Sequence, residues 1–141
     1  MLAVTGAAGA LGGYLVQLAK VEGLRVIADA SPADEATIRT LGADEVVRRG
    51  DGVALRMRDV VPDRVDALFD SALQGAALLA AVRDGGQFAA GRTYSGPTER
   101  DIVVHDVLVM RYAGSRWATR RLKTPCSARR RSPSSFCCCS A

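Results

Sequence analysis

The chain has 141 residues, 48% of them hydrophobic and 24% charged, with seven aromatics. That length suits one domain with its own core, since domains cluster near ~100–150 residues, and the composition excludes a collagen, a coiled-coil rod and a wholly disordered chain. The formal charge of +4 and the basic isoelectric point of about 9.2 invite nucleic-acid binding, but the charge is unevenly placed. Residues 1–114 hold 12 Lys and Arg and all 15 acids, a net of −3, whereas residues 115–141 hold seven basic residues and no acid. No apolar run reaches the ~18 residues of a membrane span and no signal peptide opens the chain, so a cytoplasmic protein is expected.

Leu2 to Thr5 form a short apolar run that stops at Gly6. A helix pattern follows, with Leu11, Leu15 and Leu18 on one apolar face, Tyr14 and Val21 flanking it, and Gly23 as its stop. Arg25 to Ala30 reads as a second strand. Ser31-Pro32-Ala33-Asp34 then reads as a helix start, with Ser31 as N-cap and Pro32 as first helical residue. Ile38 and Leu41 face inward and Gly42 ends that helix. Glu45 to Val47 is a third strand, and residues 53–61 are a helix that Pro62 ends. Val65 to Asp70 is a fourth strand, Gly75 to Val82 an Ala/Leu-rich helix, Gly86 to Ala90 a fifth strand, and Ile102 to Val109 a sixth. Strand and helix alternate throughout. The expected fold class is therefore α/β, a doubly wound, mainly parallel Rossmann sheet with helices on both faces.

The main functional signal is the turn Thr5-Gly6-Ala7-Ala8-Gly9-Ala10-Leu11-Gly12, which follows a strand and opens a helix. Gly6 permits the tight turn, Gly9 admits a pyrophosphate without a Cβ in the way, and Gly12 lets the helix pack closely. The helix N-terminus then favours phosphate. The alternative is a glycine turn with only a packing role. A carboxylate at the end of the second strand would accept from the ribose 2′-OH of NAD. Asp29 is a candidate, although a one-residue shift in register would send it to the wrong face.

GAAGALGGYLVQLAK resembles the cofactor turn of the medium-chain dehydrogenases, the superfamily of zinc-type alcohol dehydrogenases and quinone oxidoreductases. RVIADAS, LGADEVV (41–47), VDALFDSALQG (65–75), DGGQFAAG (84–91) and SGPTER (95–100) continue the resemblance in order, over residues 2–112. It is nearest to the zinc-independent quinone oxidoreductases. The resemblance implies the cofactor-binding domain alone. The family's preceding domain, with the zinc ligands of zinc-using members, has no counterpart here. It also implies NADPH-dependent hydride transfer to a quinone, enone or carbonyl acceptor, with no zinc and with a small-molecule substrate.

Aligned through RVIA, the family's NAD-selecting acid falls at Ala30, and the Ala30-Ser31 pair is similar to NADP-using members. The resemblance thus makes NADP the expected cofactor over NAD. Ser31 would donate to the 2′-phosphate, or else serve as a helix cap. Arg49 would pair with the same phosphate, or else be a solvated surface charge. Ser71, with Asp70 and Ala72, and Ala90 and Gly91 would line the cofactor cleft at carboxyl ends of strands. The turn supplies Gly6, Ala8, Gly9, Ala10, Leu11 and Gly12. The edge strand at residues 102–109 would support a homodimer.

Other readings are weaker. The turn also matches the extended short-chain dehydrogenases, but these need Tyr-x-x-x-Lys, and the residues four after Tyr14, Tyr94 and Tyr112 are Leu18, Thr98 and Arg116. His105, the sole histidine, reads as a packed or surface residue. Cys126, Cys137, Cys138 and Cys139 lack zinc-ligand spacing. The tail (residues 115–141) lacks any hydrophobic period and the stacking aromatics of an RNA-binding segment, so no nucleic-acid partner is expected. It reads as disordered, or as the product of a shifted reading frame. A non-catalytic nucleotide-binding or NADPH-sensing module, or an inactive truncated product, stands as the alternative function. No residue of the sequence is a convincing catalytic acid or base.

Overall fold

The computed structural model describes residues 1–107, within a compact unit that spans Met1–Leu108. The expectations for the basic tail and its cysteines lie outside the described residues, as does the 114/115 boundary.

The strands are β1 (Leu2–Thr5), β2 (Val26–Ala30), β3 (Glu45–Arg48), β4 (Val65–Asp70), β5 (Val82–Ala90) and β6 (Val103–Asp106). The helices are α1 (Ala10–Val21), α2 (Glu35–Thr40) and α3 (Val53–Val60), with a 3-10 helix at Gly75–Ala81. The strands form one parallel sheet in the order β3-β2-β1-β4-β5-β6, the doubly wound order expected from the alternation. Both faces are covered. Ala3, Ile27, Leu68 and Phe88 pack under α3 and the 3-10 helix, while Val4, Val26 and Ala28 pack under α1 and α2. A strand buried on both faces reads as a continuous apolar run, and β2 is buried at all five positions.

Four local expectations are corrected. Of the expected leucine face of α1, only Leu15 packs against the layer over the sheet, half-buried beside Val4 and Val26. Leu11, Leu18, Tyr14 and Val21 are exposed, and the helix buries Gly12, Gly13, Val16 and Ala19 instead. The reason is distance. α1 runs so close to the turn before it that a Cβ on Gly12 would lie 2.8 Å from the Cα of Ala7 and collide with the Gly6 carbonyl. Only small residues fit that face.

Helix α2 begins at Glu35, not Pro32, and Ser31 caps a turn whose carbonyl receives the Asp34 and Glu35 amides. The Ala/Leu segment is a 3-10 helix and stops at Ala81. β5 begins at Val82, although its ladder with β4 is irregular until Gln87, so the expected Gly86–Ala90 run matches the regular part. β6 spans Val103–Asp106, and the expected residues beyond Val107 lie outside the described residues.

Gly12→Ala tests the close approach of α1. Overpacking against backbone costs about 1–3 kcal/mol. The variant should unfold at a lower urea midpoint with an unchanged slope, and a parental midpoint would contradict the packing described.

Candidate nucleotide site

The turn between β1 and α1 is held from below. Gly6 leaves the strand with φ of +66°, a conformation open to glycine, and a Cβ there would sit 2.8 Å from the Ser71 hydroxyl. The amides of Gly6 and Ala7 donate to Oδ1 of Asp29, at 2.7 and 3.3 Å. Asp29 is fully buried, and its Oδ2 is buried with no partner among the described residues. The candidate ribose-binding acid is therefore turned inward. Its carboxylate shapes the turn instead of reaching a ribose hydroxyl, the outcome that register allowed. Ala30, where the resemblance puts the selecting position, is itself buried.

Asp70 works in parallel at the end of β4. Its Oδ1 accepts from the Thr5 hydroxyl and its Oδ2 from the Gly75 amide, both at 2.8 Å. The Ser71 hydroxyl donates to the Thr5 carbonyl. These bonds tie the carboxyl ends of β1 and β4 together beneath the turn.

Above the turn lies a cavity of about 290 Å³ that brings together Gly6, Gly9, Ala10, Leu11, Gly12, Ser71 and Gly91 from the expected set, with Leu73 and Arg92. Gly9 is the N-cap of α1. It provides no side-chain cap, and no acid occupies the first turn. The first amides of a helix have no intrahelical partners, so this end presents donors and a positive dipole to the cavity. A second cavity of about 270 Å³ lies against it, sharing Leu73 and Arg92 and including Ala90, Asp70 and Thr93 to Gly96. Leu73 holds φ of +61°, which is uncommon for a branched residue and marks the loop after β4 as over-determined by its surroundings.

Three expected residues lie elsewhere. Ala8 lines a groove between α1 and α2. Ser31 donates its hydroxyl to the Asp34 carboxylate at 2.6 Å. Arg49 is exposed, anchored through its amide to the Ala30 carbonyl. His105 is exposed beside Gln87 on the neighbouring strand. Among the described residues, no three His, Cys, Asp or Glu side chains come together as a metal site. Sequence reasoning missed Arg92, whose signal was its place directly after Ala90-Gly91 at the end of β5.

No family model matches the sequence, and no curated protein matches it. Solved structures do. A Sinorhizobium meliloti 1021 protein, provisionally described as an alcohol dehydrogenase, is 30% identical, over 86% of this chain and 36% of its own, with a TM-score of 0.66. An NAD-dependent alcohol dehydrogenase is 26% identical over 74% of this chain and 35% of its own, with a TM-score of 0.64. A Bacillus thuringiensis protein, provisionally described as an NADPH:quinone reductase, is 18% identical over 86% and 41%, with a TM-score of 0.70. The chain shares its α/β fold with part of each of these oxidoreductase structures. The chain spans 35–41% of the length of these structures.

Burial pushes the Asp29 carboxyl above its ordinary value, against the pull of the Ala7 and Gly6 amides and Arg49. The folded state then holds the proton to higher pH than the unfolded chain. Stability should fall as pH rises from the ordinary carboxylate range through that raised value. Asp29→Asn keeps an acceptor and should flatten this slope in urea unfolding curves. Asp29→Ala strands two amides and should cost about 1–3 kcal/mol. An Asn variant with the parental slope would contradict the assignment.

Proposed function

We propose that the chain binds a nicotinamide dinucleotide as the cofactor part of an oxidoreductase that passes hydride to a quinone, enone or carbonyl acceptor. The observation that carries this reading is the uncapped N-terminus of α1 opening on a glycine-walled cavity at the carboxyl ends of β1, β4 and β5. The residues fit the group. A Cβ at Gly9 would lie 3.2 Å from the Gly6 carbonyl and one at Gly12 would collide with it, so the turn packs this closely on the start of α1 because these positions are glycine. When bound, the nicotinamide supplies the hydride, and the protein supplies orientation and a dry surface.

Ala10, Leu11 and Gly12 would hold the diphosphate through their amides. The second cavity, between Asp70 and Gly96, lies on the β5 side and would take the nicotinamide and the acceptor beside it. Asp70 would hold the loop after β4 in position there, since its oxygens accept from the Thr5 hydroxyl and the Gly75 amide. The substrate is a small molecule. Neither a nucleic acid nor a membrane surface is needed, and no described helix is long and apolar enough to cross a membrane. β6 stands at the sheet edge and would be the surface for pairing with a second copy.

NADPH is the preferred cofactor in this reading. The exposed Arg49 follows β3, next to the end of β2, and a guanidinium pairs with a 2′-phosphate through two parallel bonds. One observation favours NADH as a second reading. The Asp34 carboxylate occupies the Ser31 hydroxyl and would repel an added phosphate.

Fluorescence titration of the 141-residue chain with NADPH and NADH separates them. Arg49→Ala should weaken NADPH about 10-fold or more and leave NADH nearly unchanged, whereas equal effects would reject the 2′-phosphate role. NADPH oxidation with a quinone panel tests the reaction. Saturable binding without turnover would leave a nucleotide-binding module and remove the enzymatic claim for this chain.

A further inference from the structure

We propose that Arg92 is the side chain that neutralises the diphosphate of the bound dinucleotide, in the cavity wall it shares with the N-terminus of α1. This rests on the nucleotide-binding reading above and adds to it a residue that fixes affinity without discriminating between cofactors.

Three observations converge. Arg92 is the sole charged residue lining the turn cavity, whose other walls are glycine, alanine, leucine and serine. The helix end alone supplies only about half a positive charge, short of the two negative charges of a diphosphate. A guanidinium in the same cavity wall adds a full positive charge and matches phosphate oxygens with a planar fork of donors.

The second observation is that the backbone on either side of Arg92 is fixed. The Gly91 amide donates to the Asp70 carbonyl at 2.9 Å, and the Tyr94 amide donates to the Asp106 carboxylate at 2.9 Å. Tyr94 also meets Phe88 edge to face, with ring centroids 5.2 Å apart. Only Arg92 and Thr93 lie between these anchors, so the side chain issues from a settled point at the end of β5.

The third is that the guanidinium is not committed elsewhere among the described residues. Arg64 and Arg100 pair with Asp84, and Arg83 pairs with Asp66. Arg92 has no such partner. Asp70, which lines the second cavity with Arg92, has its oxygens taken by Thr5 and Gly75. Arg92 therefore lines the wall beside the phosphate turn without a carboxylate partner among the described residues. Its position also joins the turn cavity to the second cavity, the point where a dinucleotide passes from phosphate to nicotinamide.

The test uses the full chain with NADPH, NADH and ADP-ribose, three ligands that share only the adenosine diphosphate ribose core. Arg92→Ala should weaken all three by a similar factor, about 10- to 100-fold, and Arg92→Lys should recover part of the loss. Arg92 is exposed, so the variant should keep the parental Tm. Undiminished ADP-ribose affinity in Arg92→Ala would overturn the proposal, as would a loss confined to NADPH. If the parent binds none of the three ligands, the nucleotide reading itself fails. That result is distinct from parental binding that Arg92→Ala leaves intact.

Discussion

The site depends on a buried carboxylate holding a glycine turn from beneath. Asp29 accepts both the Gly6 and Ala7 amides and is shielded from water, with one oxygen left unpartnered. Burying a carboxylate is costly, and an unpartnered oxygen adds to the cost. In return, two amides that the strand-to-helix reversal would leave unsatisfied find an acceptor. The turn is consequently fixed before any ligand arrives, and the donors of α1 face outward without a protein cap.

The rest of the site is arranged around that turn by the sheet. Strand order puts β1 at the centre, where the winding reverses, and ligands of open α/β sheets bind at this crevice. Asp70 and Ser71 lock β4 to the end of β1, so the loop carrying Leu73 stays over the cavity. Gly91 locks β5 to β4 in the same way. Each of these bonds involves the last residue of a strand or the residue next to it. The cavity-bearing face is thus built from strand ends, while the apolar layers beneath supply rigidity.

Much of this was legible in the sequence. The bounds of β1 and β4, the stops at Gly23 and Gly42, the strand-turn-helix context and most of the turn cavity follow from apolar runs, glycines and their spacing. The failures have specific causes. Periodicity favours leucines, but α1 buries Gly12, Gly13, Val16 and Ala19 next to the turn, so Leu11 and Leu18 point outward and only Leu15 is half-buried. The direction of Asp29 depends on a single step of strand register. Ser31 reads in sequence as a 2′-phosphate donor or a helix cap, and in the fold its hydroxyl donates to Asp34 three residues on. Arg92 belongs to no motif, and its significance appears only when the ends of β1, β4 and β5 converge.

The central claim is that the amides at the start of α1 form the phosphate-binding surface. Backbone amide shifts recorded by NMR during titration with NADPH test it most directly. The account predicts saturable shifts concentrated at Gly9 to Gly12 and at Gly91, with Gly23 at the far end of α1 unaffected. Absence of shifts at Gly9 to Gly12 while NADPH binds elsewhere would contradict it.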